Sequence, residues 1–210
     1  MSLSPHEAEA LCKRAALGAG LSCAMAEQLA TASGWLCARG IDACNPAIAL
    51  LFRHDEEGQA QAGPQALRSP WEGAEGWLCP VAAGVVLADL RPGALTAPLL
   101  LRRLALPVML LPFAAALSRQ AGHAVTLKWT GGQATTDGDG FTLSPPPPMA
   151  DVSLTFDDSP ASLPQRHRYI TPAPDPMILV SLNIYATRAQ VRAPDQGDQT
   201  DTDTNQERTP

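Results

Sequence analysis

The first forty residues carry two runs of apolar positions at helical spacing. Ser4-Pro5-His6-Glu7 has the pattern of a capping box, and the apolar residues that follow recur three and four positions apart, which predicts a first helix. Ser22 precedes a second run of the same period that ends at Gly40. Because only a short Gly18–Gly20 segment separates the two runs, we expect a helical hairpin.

Polar and apolar residues then alternate less regularly up to residue 77. Asn45-Pro46 is typical of a helix cap followed by a proline, and predicts a short third helix that ends near His54. From Asp55 to Gly76 the chain is rich in Glu, Gln, Gly and Pro without a period, which predicts a long exposed loop. We expect Trp71 and Trp77 to anchor this loop to the core; covering a pocket is the alternative.

The middle of the chain mixes strand and helix patterns. The apolar run Val81–Leu90 predicts a buried strand, and Leu99–Gln120 predicts a largely helical segment. Within that segment, Pro112 either kinks the helix or marks its true start. Period-two alternation predicts strands over residues 123–129, 141–143 and 152–156, with Asp137–Gly140 as a hairpin turn.

In the last third of the chain, the residue pattern predicts connectors, one strand and a final helix. Pro145–Pro148 is expected to be a stiff connector between strands, and Arg166–Ile170 one more strand. Pro176–Val191 predicts a helix capped by Asp175. The resulting fold class is α+β: helices over residues 1–54, a mostly antiparallel sheet with one or two packed helices over 77–191, and a disordered acidic tail over 192–210.

Composition and charge then exclude several function classes. The 210 residues are 45% hydrophobic, enough for one domain with a sizeable core over residues 1–191. A net charge of −6, from 15 basic and 21 acidic residues, argues against a nucleic-acid partner. The N-terminus lacks a signal-peptide pattern, and the longest uncharged apolar run, Leu104–Leu117, is shorter than the roughly 20 residues of a membrane span. We therefore expect a soluble, cytoplasmic protein without a membrane partner.

Cysteine and histidine spacing predicts no metal site. The five cysteines include no Cys-x-x-Cys pair, and we expect them to be buried free thiols. None of the four histidines stands in a His-x-x-x-His arrangement. Residues 54–57, His-Asp-Glu-Glu, are dense in acid and base groups, but a histidine at a helix end before a solvated acidic loop is the expected arrangement. Asp137 and Asp139 lack the further ligands of a calcium loop, so a plain turn is expected.

One cluster remains as a candidate binding site, while the catalytic residues stay unknown. On a strand, Arg166 and Arg168 would project from the same face and hold a carboxylate or phosphate, with His167 between them. The alternative is a solvated face that pairs with Asp157 or Asp158. Nucleophile-elbow, phosphate-loop and dinucleotide-binding motifs are not found in the sequence.

The N-terminal helices resemble two families. The segments Gly20-Leu-Ser and Ala38-Arg-Gly-Ile-Asp resemble the malate/L-lactate dehydrogenases, which bind a nicotinamide cofactor. The family continues with Ser-His-Gly where this chain has Ala43-Cys-Asn, so its histidine is absent and no activity carries over.

The fuller resemblance is to a proteobacterial family, domain of unknown function 3726. It rests on Leu3-Ser-x-x-Glu, Glu9-Ala-Leu-Cys and Trp35-Leu-x-Ala-Arg-Gly, with Pro98-Leu-Leu-Leu and Leu111-Pro-Phe-Ala further along, and extends to about Val191. This resemblance implies no established activity, cofactor or site residue.

The resulting functional hypothesis is a non-catalytic cytoplasmic module that binds a small ligand or a protein partner. It follows from the lack of any assembled set of nucleophile, base and electrophile in the sequence. The alternative is a small enzyme acting on an anionic metabolite, with Arg166 and Arg168 as the clamp and His167, His54 or His123 as acid or base. A structural subunit that packs against a second copy is a third hypothesis. The cofactor, if any, is unknown.

Overall fold

Three helices form the N-terminal part of the chain. The computed structural model describes residues 3–56, 63–74, 76–90, 98–157, 163 and 173–192. Helix α1 spans Pro5–Gly18 and helix α2 spans Cys23–Ala38, and the two pack against each other as predicted. The capping box at the start of α1 is confirmed, since the Glu7 N–H donates to Ser4 Oγ (3.2 Å) and the Ser4 N–H donates to Glu7 Oε2 (2.8 Å).

Helix α3 spans Cys44–Glu56, but its cap differs from the predicted one. Asp42 Oδ1 accepts hydrogen bonds from the N–H groups of Cys44 (3.0 Å) and Asn45 (3.2 Å). The Asn45 amide donates to the other Asp42 oxygen instead of capping the helix. The prediction that Asn45 is the cap is wrong, because the helix begins before Asn45 and the carboxylate two residues upstream of Cys44 reaches its free N–H groups.

The predicted strand over Val81–Leu90 is instead helix α4, which spans Pro80–Asp89. Pro80 occupies its first turn, where a missing N–H costs nothing. A short apolar run in a helix buried on several sides has the same composition as a buried strand, so its periodicity does not distinguish the two. Gly84 lies against the ring of Phe113, and a Cβ at Gly84 would approach that ring within 2.3 Å.

The predicted helix over Leu99–Gln120 divides into three elements. Strand β1 spans Leu99–Ala105, a 3₁₀ turn spans Pro107–Leu110, and helix α5 spans Leu111–Ala121. Pro112 lies in the first turn of α5, which confirms that it marks the start of the helix and does not kink it. Leu106 links strand to turn with a φ of 46°, and Gly122 ends α5 with a φ of 71°.

Five strands form one antiparallel sheet with the order β1-β5-β2-β3-β4. Besides β1, it contains β2 (Ala124–Trp129), β3 (Gly132–Thr136), β4 (Phe141–Leu143) and β5 (Met149–Asp157). The three predicted strands and the turn at residues 137–140 are confirmed. Strands β1 and β3 are additional.

The segment predicted as an exposed loop pairs in part with the sheet. The Trp71 N–H donates to the carbonyl of Leu100 (2.8 Å), and the Trp71 carbonyl accepts from the Arg102 N–H (2.9 Å). Trp71 and Trp77 are 0% and 2% exposed, so both anchor this segment to the core as expected. The prediction of an exposed loop is correct for the described residues 65–70 and wrong at Trp71, where β1 provides backbone partners.

Helix α6 spans Pro176–Arg192 and packs on α1 and α3. The predicted cap is confirmed, because Asp175 Oδ1 accepts from the Met177 N–H (2.8 Å). A Cβ at Gly18 would lie 1.7 Å from the Tyr185 carbonyl oxygen, so glycine permits the close approach of α1 and α6.

One contiguous hydrophobic core connects the helices to the sheet, with α5 in contact with β2 and β3 and α4 in contact with α2 and α5. The α+β class with an antiparallel sheet is therefore confirmed. The predicted strand Arg166–Ile170 and the tail after Arg192 lie outside the described residues.

Candidate functional site

The anion-binding residues expected from the sequence, Arg166, His167 and Arg168, lie outside the described residues. The preceding described residue is Leu163, whose N–H donates to Asp137 Oδ2 (2.8 Å) in the β3–β4 turn. Arg166, His167 and Arg168 therefore remain a prediction, and the candidate site is built from other parts of the chain.

An apolar groove lies between the start of α3 and the two connections that flank the sheet. We call it the proline groove. Ile41, Pro46 and Ala49 form its α3 side, Leu106 and Val108 form the side after β1, and Leu143 with Pro146–Pro148 form its third side. Its volume is about 470 Å³, within the range of roughly 300–1,000 Å³ typical of sites for small molecules.

Local sequence gives the walls of the proline groove their rigidity. The four-proline run restricts the backbone between β4 and β5, as expected for a stiff connector. Leu106 adopts a left-handed conformation, and its N–H donates to the carbonyl of Pro148 (2.9 Å). This hydrogen bond ties two walls of the groove together, so the groove is formed without a ligand.

Two polar side chains, Asp42 and Asn45, stand among the apolar lining residues of the proline groove. Asp42 accepts from the first N–H groups of α3 and from the Asn45 amide, so its carboxylate is engaged in the helix cap. The groove can hold an apolar group and offers one polar corner to orient it.

A second depression, of about 330 Å³, lies beside the bulge in β1 and includes Arg102, Arg103, Asp151 and Glu72. Asp151 Oδ1 accepts from the Arg103 N–H (2.8 Å) and Asp151 Oδ2 from the Arg102 guanidinium (2.5 Å). These two bonds hold the pKa of the Asp151 carboxyl below its usual value of 3.8. The ion pair stabilises the bulge and balances the charge of Arg102.

A cysteine–histidine contact occurs where α3 approaches α4. Cys79 Sγ lies 3.9 Å from His54 Nε2, and the His54 ring packs edge-on against Trp77 with a centroid separation of 5.4 Å. Burial raises the pKa of the Cys79 thiol to about 11. At neutral pH this thiol is protonated and shielded from solvent, so the contact contributes to the packing of the core.

Asp55, next to His54, connects α3 to α6. Its Oδ2 accepts from the Tyr185 hydroxyl (2.9 Å) and from the Arg188 guanidinium (3.0 Å). Burial and the hydrogen bond to Asp55 raise the pKa of Tyr185. The solvated acidic segment expected after His54 is confirmed at Asp55 and Glu56, which are both exposed, and Asp55 in addition bonds to α6. Glu57 lies outside the described residues.

The expected hairpin turn is confirmed at Asp137–Gly140, where Asp137 Oδ1 accepts from the N–H groups of Asp139 (3.0 Å) and Gly140 (2.6 Å). Across the described parts of the chain, His, Cys, Asp and Glu side chains form no group of three or more that could hold a metal ion. Within the same residues, no helix is long and apolar enough to cross a membrane.

The proline groove was not identified from the sequence, because its three walls come from residues 41–49, 106–108 and 143–148. The one available signal was the proline run itself, which the sequence analysis assigned to a connector. Its position between β4 and β5 confirms that it connects two strands. The same prolines also line the groove.

Comparison with known proteins gives one match. No curated protein and no solved structure matches the chain. A family model matches residues 3–92, which include α1–α4, and its description assigns no activity. The resemblance beyond residue 92, at Pro98 and Leu111, stays a prediction. Over residues 3–92 the expected resemblance is confirmed, because this part of the chain matches the model of the family described as Protein of unknown function (DUF3726).

Proposed function

We propose that the protein is a non-catalytic module that binds a small, largely apolar ligand in the proline groove. The observation that carries the proposal is the preformed groove itself, with proline rings on two sides and the Leu106–Pro148 hydrogen bond between walls. A rigid apolar site loses little conformational freedom on binding, so more of its contact energy appears as affinity.

The polar corner of the groove favours a ligand with one hydrogen-bonding group. The Asn45 amide donates to Asp42, which leaves the Asn45 side-chain oxygen as an acceptor at the rim. An apolar body with a single donor group, such as an aromatic ring that carries an N–H, fits this arrangement.

The free thiols support a reducing compartment, and we propose the cytoplasm. All five cysteines are unpaired, and four of them are buried. Buried free cysteines are common in proteins of reducing compartments and rare in secreted ones, which form disulfides.

The proposed function can be tested with a variant whose side chain fills the proline groove. Ala49 is exposed and lines the groove from α3, so Ala49→Trp would occupy the space without disturbing the core. We expect indole and other small aromatic fragments, at millimolar concentration, to shift the backbone N–H signals of Asn45, Leu106 and Leu143 in the wild-type protein. The Ala49→Trp variant should lose these shifts.

Ala10→Trp is the matched control, because Ala10 is an exposed helical alanine on α1 that does not line the groove. It should respond to the fragments as the wild type does. Native mass spectrometry of the untagged protein complements the titration, since a stoichiometric mass released on denaturation would identify a retained ligand. If no fragment shifts these signals, or if Ala49→Trp leaves the shifts intact, the proposal is wrong.

A further inference from the structure

A stacked aromatic–arginine pair lies at the end of α2. The Arg39 guanidinium carbon is 3.7 Å from the centre of the Trp35 ring, and Trp35 in turn packs against Phe141, with ring centres 6.2 Å apart. Arg39 Nε is buried and has no hydrogen-bond partner in the described part of the protein. The ring fixes the orientation of the guanidinium, whose remaining N–H groups are preorganised for an external acceptor.

Arg119, in the last turn of α5, contacts the β3–β4 turn. Its Nη1 donates to the Gly138 carbonyl (2.5 Å), and its side-chain stem packs so closely on Gly138 that a Cβ there would lie 2.4 Å from Arg119 Cγ. Phe141 follows this turn directly, so Arg119 at Gly138 and Trp35 at Phe141 contact positions three residues apart.

The positive charges of Arg39 and Arg119 lie close enough to affect each other. Burial lowers the pKa of Arg39, and the neighbouring positive charge of Arg119 lowers it further, against an opposing effect of Asp139. Asp139 is exposed, and over the described ranges neither guanidinium forms an ion pair with a carboxylate. Of the two carboxylates in the turn, Asp137 accepts from three backbone N–H groups and Asp139 is exposed, so neither is bonded to a guanidinium.

We propose that Arg39 and Arg119, with Trp35 as a platform, form a binding site for a small oxyanion, either a carboxylate or a phosphate monoester. Guanidinium groups bind both anions through paired N–H donors. The C-terminal ends of α2 and α5 each favour a nearby cation on their own. That effect does not explain why two cations lie beside one turn, whereas a bound anion offsets their repulsion. The site is distinct from the proline groove.

The test uses inorganic phosphate and succinate as probes, each titrated at constant ionic strength against sodium chloride. We expect saturable shifts of the Trp35 indole N–H signal in the wild-type protein. Arg39→Gln and Arg119→Gln should each raise the dissociation constant about tenfold or more, because each removes charged hydrogen bonds to the anion. A response to phosphate alone assigns the site to phosphate monoesters, and a response to succinate alone assigns it to carboxylates.

Arg14→Gln is the matched control, because Arg14 is an exposed arginine on α1 whose Nε donates to the carbonyl of Ala10. This variant should bind both probes as the wild type does. Thermal unfolding in chloride alone reports whether each variant is folded, and Arg119, being exposed, provides a variant that does not depend on removing the Arg39–Trp35 stack. Absence of saturable shifts, or equal binding by Arg119→Gln and the wild type, would overturn the proposal.

Discussion

At the scale of single residues, Asp137 shows how one carboxylate organises a turn. Its two oxygens accept three backbone N–H groups, from Asp139, Gly140 and Leu163. Partial burial disfavours the charged carboxylate, but the hydrogen bonds outweigh it and lower the pKa of Asp137 below its usual value of 3.8. The charged form therefore stabilises the turn that carries Gly138.

We expect Asp137→Asn to reduce the free energy of unfolding at neutral pH by about 1–2 kcal/mol, because an amide has one acceptor oxygen where the carboxylate has two. The pKa of Asp137 is lowered in the folded protein, so its stabilising contribution is present above the usual pKa. It is lost as the pH falls below 3.8 and through the lowered value. Urea unfolding at a series of pH values measures the free energy of unfolding of both proteins. The difference between the variant and the wild type should become smaller as the pH falls below 3.8.

Asp139→Asn is the control for this series, since Asp139 takes part in the hydrogen bonds of the turn through its backbone N–H and not through its side chain. Its free energy of unfolding should be close to that of the wild type at every pH. A difference between Asp137→Asn and the wild type that stays constant down to pH 3 would show that the Asp137 charge is not responsible.

At the scale of elements, the start of α3 joins helix stability to the proline groove. Asp42 caps the helix through its hydrogen bonds to Cys44 and Asn45, and the same residue stands at the polar corner of the groove. The α3 wall of the groove is therefore positioned by this cap.

We expect Asp42→Ala to destabilise the protein by about 1 kcal/mol, a typical cost of removing a helix cap. Asn45→Ala should cost less, because it removes only the side-chain bond to Asp42 and leaves both capped N–H groups satisfied. Chemical denaturation of the two variants measures this difference directly. If Asn45→Ala proves the more damaging, the cap assignment is wrong.

At the scale of the whole molecule, the burial of the cysteines reflects the close packing of the helices into one core. Cys12, Cys37, Cys44 and Cys79 are buried, and Cys23 is exposed at the start of α2. Burial raises the pKa of Cys12 to about 11 and that of Cys44 to about 12. A protonated thiol inside a close-packed core reacts slowly with disulfide reagents.

We therefore expect one of the five thiols to react rapidly with Ellman's reagent in the folded protein, and all five to react in guanidinium chloride. Cys23→Ser should abolish the rapid phase and leave four thiols to react after unfolding. The absorbance of the released thiolate gives the count. Rapid reaction of two or more thiols in the native protein would show that the helices open readily.

Elements with local signals were predictable. Helices α1, α2 and α6 carry caps and apolar periodicity within their own residues, and apolar and polar residues alternate in the sequence of β2. The conformations of helix α4 and strand β1 were not predictable, because a run of apolar residues is compatible with either helix or strand. Their conformations follow from neighbours distant in sequence: Phe113 against Gly84 in α4, and β5 beside β1.

The candidate sites likewise include one feature with a local signal in the sequence and others without one. The four-residue spacing of Trp35 and Arg39 lies within one helix, and it was available from the sequence as a signal that the two side chains meet. The approach of Arg119 and the assembly of the proline groove from three distant segments had no such signal.

By itself, the sequence determined the α+β class, the ends of helices α1, α2 and α6 and the turn at residues 137–140, because capping, glycine and proline effects act over a few residues. Only the tertiary structure decided which apolar runs became strand or helix and which side chains share a surface, since burial and pairing depend on residues far apart in the chain.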